Sequence, residues 1–375
     1  MDLYKYISNA KLDELAKSIS KDKYYRPVEN TFYGNREYVQ LMILKDVKNT
    51  TALEELTSAS NIKELIATVG DLIINQDTSV AIDTTTVDVT RKEKITLNGN
   101  TLTLDNTTLG STACFTLCDD SAELVIENGT INLKSGKSPL AMVKSGKLVL
   151  NNVKVTLPED SSSAGAILMF DRATQKSGDE RDIEVVLNNC IIGGYTGVNV
   201  KGGKLTMTNC TVTAKDFAVL GNGSAGLGKT DISLNSCNFK CAGNEGIESA
   251  AIYHPQDGKL TITNGTYEGD CALYVKSGDV KVYGGVFKAL QSNAKAYEYW
   301  NNGCKTTGDV IVNDVCNYPG ENAKLVVTGG VFERAAEDAC DVATYIYTPA
   351  HQGTKPVYKT LVNQYLDAVE KTVTI

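Results

Sequence analysis

The chain is short of most things that would name a chemistry. It holds two histidines, His254 and His351, one tryptophan and no C-x-x-C pair, which leaves little from which to build a metal centre. Lys and Arg number 37 against 45 Asp and Glu, a net charge of −8. With no basic stripe to displace counterions, a nucleic-acid footprint is disfavoured. No apolar run approaches the roughly 18–20 residues of a membrane span. The opening residues, MDLYKYISNAKLDELAKSIS, lack the apolar stretch of a secretory leader, so a soluble protein made in the cytoplasm and without a signal peptide is expected. Neither G-x-S-x-G nor a Gly-rich phosphate loop ahead of a helix occurs. Proline is scarce, at 7 residues, and aromatics make up 7%; a narrow core of small and β-branched side chains suits that composition.

What the chain has in quantity is one string. KLTMTNCTVTA begins at Lys204. Relatives of it begin at Lys94 (KITLNGNTLTL), Glu123, Lys147, Glu184, Asp231, Lys259, Asp279 and Lys324. Apolar and polar residues alternate, the period of a strand. Each copy bends at Asn-Gly, Asn-Cys, Asn-Asn or Gly-Gly, pairs that accept positive φ. A second short strand precedes the copies, as in SPLAMVKSG, TGVNVKGG, FAVLGNG and CALYVKSG. The shortest spacing between copies is 20 residues, too short for a propeller blade of roughly 40. The longest, 45 residues before the last copy, has room for a degraded unit at 308–315 (GDVIVNDV). Strand, glycine turn, strand, asparagine turn, strand is one rung of a parallel β-helix, and ten or so rungs make a rod about 45 Å long.

These strings, KITLNGNTLTL above all, resemble the right-handed parallel β-helix, or pectin-lyase-like, family over roughly residues 73–350. The resemblance implies the fold and leaves the function open, since lyases, glycosidases, adhesins and phage spikes share it. The expected class is mainly β: a β-helical solenoid with a small α-rich N-terminal segment and a C-terminal helix.

Cys190, Cys210 and Cys237 fall at one turn position in three consecutive copies. In a stack they lie above one another as buried thiols; a leaderless chain keeps them reduced. Cys114 with Cys118, and Cys237 with Cys241, read as alternate core positions. The sequons at Asn128, Asn209, Asn222 and Asn264 read as turn chemistry.

Both ends differ from the middle. Residues 1–48 hold a capped amphipathic helix with Leu12, Leu15 and Ile19 on one face. They also hold a tyrosine-rich stretch with Tyr24, Tyr25, Phe32, Tyr33 and Tyr38. Residues 49–72 carry a capping-box pair, Thr51 and Glu54, and an apolar stripe from Ile62 to Val69 ended by Gly70, suited to plug the open end of the solenoid. Residues 351–375 place Leu361, Tyr365, Leu366 and Val369 at helical spacing as a far cap.

A glycosidase needs two carboxylates roughly 5–9.5 Å apart. Candidates are Asp119 with Asp120, Asp171 with Glu180, and Glu248 with Glu268 and Asp270, the last three expected to be exposed. None recurs on neighbouring rungs in a way that forces a pair, so no catalytic residue is assigned. The most site-like string is NAKAYEYWNNGC, whose Tyr297, Tyr299 and Trp300 suit sugar stacking or a protein contact. No cofactor or metal is expected. A repeat-rich rod with a distinct N-terminal segment resembles tailed-bacteriophage head fibres, spikes and head-decoration proteins. That resemblance implies a structural virion protein: a homotrimer attached through residues 1–48 to capsid or other virion proteins, with a shaft for host-surface or glycan contact. A polysaccharide-degrading β-helix enzyme such as a tailspike depolymerase is the alternative, and a bacterial β-helix adhesin the second.

Some 48 residues make too small a core for firm independent stability, and plugging the helix does not require them. Deletion of residues 1–48 is therefore expected to leave a soluble, cooperatively unfolding rod that no longer joins its assembly. Aggregation of the truncated chain would instead show that this segment covers apolar rod surface.

Overall fold

The computed structural model describes Ile62, residues 71–158 apart from 83, 165–169, 183–221, 229–241, 249–290, 310–313 and 323–333, and the backbone of four further short strands. The strands wind into a parallel β-helix. One sheet of 18 strands and one of 11 account for nearly all of them. In the larger sheet, Glu123–Leu133 and Gly146–Thr156 each run through a bend and serve two stacks. It therefore comprises two stacks of ten, sheets A and B, joined along the asparagine bend. Sheet C is the 11-stranded one: ten parallel strands from Val87–Val89 to Ile346–Thr348, with Val357–Lys359 added antiparallel at its end. A rung is one strand of A, one of B and one of C.

In-register parallel stacking turns each position of the repeat into a column. The inward columns are apolar: Leu124, Leu148, Val185, Leu205, Ile232, Leu260 and Val280 follow one another through sheet A, all essentially unexposed. Each such side chain contributes roughly 1.5–3 kcal/mol by leaving water. On the outer face of sheet A, Lys92, Glu123, Lys147, Glu184, Lys204, Asp231, Lys259, Asp279 and Lys324 alternate in sign rung after rung. Ion pairs form between neighbours, Lys92–Glu123 and Lys147–Glu184 each at 3.3 Å. Exposed pairs of this kind add well under 1 kcal/mol. Their larger effect is on register, because a slip that set like charges one strand spacing apart would be penalised. Lys92, and not Lys94, stands opposite Glu123: the first copy carries a longer bend, residues 97–100.

The bend between A and B follows its chemistry. Asn128, Asn152, Asn189, Asn209 and Ser236 hold φ between 53° and 61°, the left-handed region that asparagine tolerates. Their side chains form a ladder: Asn152 Nδ2 donates to Asn128 Oδ1 at 3.0 Å, Asn189 to Asn152 at 3.1 Å and Asn209 to Asn189 at 3.3 Å. In the last rungs the positive φ moves one residue on, to Gly265, Gly285 and Gly330. A Cβ on Gly265 would lie 2.0 Å from the Cys237 carbonyl oxygen, so only glycine fits there.

The thiol column is as expected. Cys190, Cys210 and Cys237 are 0–1% exposed, and their S–H groups donate to the carbonyls of Leu150, Leu187 and Met207 at 3.2–3.4 Å. Contact with Cys210 and burial hold the thiols of Cys190 and Cys237 well above their usual range. Gly265 continues the column above Cys237, and the volume it gives up is filled two residues along. There the inward column changes from Ile192 and Val212 to Phe239, Tyr267, Phe287 and Phe332. Successive ring centroids are 5.3, 5.0 and 5.5 Å apart. One column of the core thus turns aromatic in the later rungs, contrary to the expectation of small and β-branched residues throughout.

Four further expectations are corrected. Cys118 is exposed, because the strand Phe115–Leu117 has ended and the chain is turning. Residues 308–315 hold no repeat unit: Ile311–Asn313 is the sheet C strand of a rung whose corners carry insertions. Asn264 is not the left-handed bend residue, Gly265 being so. Val357–Lys359, in the segment expected to be helical, is a strand that pairs with the edge of sheet C; Leu361, Tyr365, Leu366 and Val369 lie outside the described residues. Ile62 is helical and fully buried in the core; residues 1–61 and 63–70, with the rest of the expected plug and the segment 1–48, lie outside the described residues.

The thiol column yields a sharp expectation. Cys210→Asp buries an unpaired carboxylate between two thiols and is expected to cost at least ~3–5 kcal/mol, read by chemical denaturation. In the folded wild type all three thiols should resist a thiol reagent until unfolding; rapid labelling would contradict the register.

Candidate contact face

The three corners of a rung are not equivalent. Between A and B the chain never needs more than residues 97–100. The two corners that flank sheet C take every long insertion. From B to C these are 106–114, 157–164, 242–249, 290–310 and 334–345; from C to A they are 170–182, 222–229 and 314–323. The shortest B-to-C corners are single residues, 195 and 270. Along the chain the long insertions are therefore confined to the two ends of the sheet C strands.

The outer face of sheet C is also different in kind. Its outward column runs Asp88, Thr116, Met142, Leu168, Asn199, Leu220, Tyr253, Tyr274, Val312. From Met142 onward it is apolar or aromatic except at Asn199; the outer face of sheet A has one charged column and one that runs through Val125, Val149 and Val186, and neither A nor B places aromatic rings side by side on its outer face among the described residues. Ala250, Cys271, Tyr274 and Val312 form a second apolar cluster separate from the core, with Phe217 and Tyr253 half-buried against it. Phe217 and Tyr253 lie 5.7 Å apart between centroids, Tyr253 and Tyr274 5.5 Å. Lys276, itself buried, places Nζ 5.8 Å from the centre of the Tyr274 ring, a cation–π distance.

Two buried polar groups hold the corners beside this face. At the B-to-C corner both carboxylate oxygens of Asp216 are met by the Thr196 hydroxyl, at 2.7 and 2.8 Å, and the Phe217 N–H also donates to Asp216. Ser249 and Asp270 continue this buried corner, with the Asp270 N–H donating to Ser249 Oγ at 3.1 Å. Burial pushes the Asp216 carboxyl up to about 6. At the C-to-A corner His254 lies 3.1 Å from the Ser277 carbonyl through Nδ1 and 3.3 Å from the Thr230 hydroxyl through Nε2. Nδ1–H donates to the carbonyl, and Nε2 is left to accept. Burial favours this neutral form and lowers its pKa to about 4.

The expected site residues are placed as follows. Tyr297 and Tyr299 lie on the strand Tyr297–Tyr299, paired antiparallel with Cys304–Thr306 inside the insertion 290–310. Trp300 and the N-terminal aromatics Tyr24, Tyr25, Phe32, Tyr33 and Tyr38 lie outside the described residues, as do Asp171, Glu180 and Glu248. Asp119 accepts from the Ser121 N–H and hydroxyl, which lowers its pKa, and Asp120 accepts from Ser145. Glu268 is on the outer face of sheet B, 3.6 Å from Lys288. Asp270, expected to be exposed, is 1% exposed: it directly precedes a sheet C strand, in the stacked position where Asp216 and Ser249 are also buried. Glu268 and Asp270 therefore do not share a groove. Sequence reasoning missed Asn199, Phe217, Tyr253 and Tyr274. Their signal was present in the short strings before each copy, as the non-core letters of TGVNV, FAVLG, AAIYH and CALYV.

The corner carboxyl carries a pH signature. A folded pKa above the usual 3.8 means that the stability Asp216 contributes is present below pH 3.8 and lost as pH rises through about 6. His254 acts in the opposite sense, losing stability as pH falls from its ordinary 6.5 towards 4; it is common to wild type and variant and cancels. Asp216→Asn should therefore gain on the wild type by on the order of 2–3 kcal/mol between pH 4 and pH 7.5. A stability difference that is flat with pH would show that Asp216 is solvated.

No family model matches the chain, and no curated protein matches it. Among solved structures it is similar to the surface protein and adhesin PfbA of Streptococcus pneumoniae. The match has 11% identity, covers 73% of this chain and 92% of that one, and has a TM-score of 0.38.

Proposed function

We propose that this chain is a non-catalytic attachment protein: a rigid rod that presents the outer face of sheet C and its flanking insertions to a surface, and is held at its base through residues 1–48. One observation carries the reading. Insertions of more than four residues gather only at the corners that bracket sheet C, and that face carries an aromatic cluster outside the core, with Phe217, Tyr253 and Tyr274 in contact. A rod that served only as a spacer has no reason to treat its three faces differently. Corners of variable length beside a partly apolar face are the make-up of a binding surface.

The carboxylates support attachment over hydrolysis. Glu268 is ion-paired on sheet B, and Asp270 and Asp216 are turned into a buried corner. The virion appendage of a tailed phage and the surface adhesin of a bacterium are two settings of this one physical role. Mass spectrometry of purified particles against cell envelopes separates them, and the phage setting, our first reading, is expected to place the chain in the particle. For the role itself, labelled full-length protein should bind host cells saturably and release no new reducing ends from their surface polysaccharide. Release of oligosaccharide would establish the depolymerase instead.

A further inference from the structure

The outward column of sheet C contains one residue that does not suit its neighbours. Asn199 stands between Leu168 on one side and Leu220 on the other. Its Oδ1 is buried and accepts no hydrogen bond. Leaving a buried acceptor unpaired costs roughly 1–3 kcal/mol, and such a group in a folded protein calls for an explanation. Neither leucine has a donor to offer. A side chain of leucine's own shape at this position would complete the stripe without that cost, so the acceptor is a liability unless something else supplies the proton.

The surroundings describe that something. Phe217 shares a strand with Leu220, and Tyr253 is the next residue up the column. Both rings are half-buried, side by side and tilted by 40°. Tyr253 lies two rungs from Asn199, about 9.6 Å at the usual strand spacing, a span that two linked pyranose rings cover. From Met142 to Tyr253 the column has no charged side chain, and Lys276, beyond it at Tyr274, is itself buried against that ring, so a carboxylate-bearing ligand would lose its hydration there with no cation in the column.

Resting on the contact-face reading, we infer that this stretch is a subsite for an uncharged oligosaccharide. One pyranose lays its C–H face on Phe217 and Tyr253. Oδ1 is covered by protein atoms, so the Asn199 amide turns outward between Leu168 and Leu220 to accept a hydroxyl of the adjoining sugar. A sugar offers both parts at once, an apolar ring face for the aromatic pair and a thin rim of donors for the acceptor. The specificity has a physical basis: a buried acceptor rejects analogues that lack the matching hydroxyl far more strongly than an apolar wall rejects a misfit.

The test uses the full chain on immobilised oligosaccharides, neutral (gluco-, galacto- and manno-oligosaccharides) and anionic (oligogalacturonate, sialyllactose). At least one neutral series should be retained and the anionic ones not. Asn199→Leu should lower that retention about tenfold or more, while its melting temperature stays level or rises, since the variant removes the unpaired acceptor. Tyr253→Ala should lower retention as well. Retention unchanged in Asn199→Leu, retention confined to anionic glycans, or no glycan retained at all would each overturn the inference. If Asn199→Leu then still attaches to host cells like wild type, the subsite is wrong and the attachment reading stands. Loss of cell attachment in the wild type itself would count against both.

Discussion

Everything in this molecule follows from one constraint: a rung must sit on a copy of itself at about 4.8 Å. In an ordinary domain a residue chooses neighbours from anywhere in the chain. Here each residue meets mainly the same position one rung above and below, so each position must tolerate self-stacking. Apolar columns do so readily. Asparagine does so by donating its amide to the next amide, as Asn152, Asn189 and Asn209 do. Cysteine does so as a compact thiol. Charge does so only by alternating, and the outer face of sheet A alternates without a break from Lys92 to Lys324.

The constraint also explains where variety is allowed. Strands cannot lengthen without breaking register with both neighbours, so insertions are confined to corners. One corner is closed to them by the asparagine ladder, whose side chains must remain in contact from rung to rung. The other two are free, and they are the two that enclose sheet C. The contact face is thus a consequence of the bend chemistry: the rigid A–B edge leaves the opposite side as the place for loops. The buried polar corners at Asp216 and His254 lie where those loops leave the stack.

This accounts for what the sequence made legible. Sheets A and B were readable because their columns repeat letters, so that Lys147, Glu184, Lys204, Asp231, Lys259, Asp279 and Lys324 could be aligned by eye, and Cys190, Cys210 and Cys237 with them. Sheet C was readable only as short strands. Its strings share inward apolar residues but vary outward, from Asn199 to Leu220 to Tyr253, and a varied column has no period to detect. The attention drawn to Tyr297, Tyr299 and Trp300 came from composition within one insertion, whereas the face that insertion borders is assembled from strands separated by 20 to 40 residues. Asp270 was misplaced for a related reason: it takes the position just before a sheet C strand, where Asp216 and Ser249 are also buried, and the letters of that column, Asp, Ser and Asp, read as exposed polar residues.

The account stands most directly on a comparison of the three faces. One arginine is placed mid-face on each: Thr206→Arg on sheet A, Thr213→Arg on sheet B and Leu220→Arg on sheet C, with circular dichroism and melting confirming the fold. Attachment of each full-length protein to host cells is then measured. The sheet C variant alone should lose attachment, with the other two within about twofold of wild type; loss on sheet A or B, or retention on all three, would contradict it.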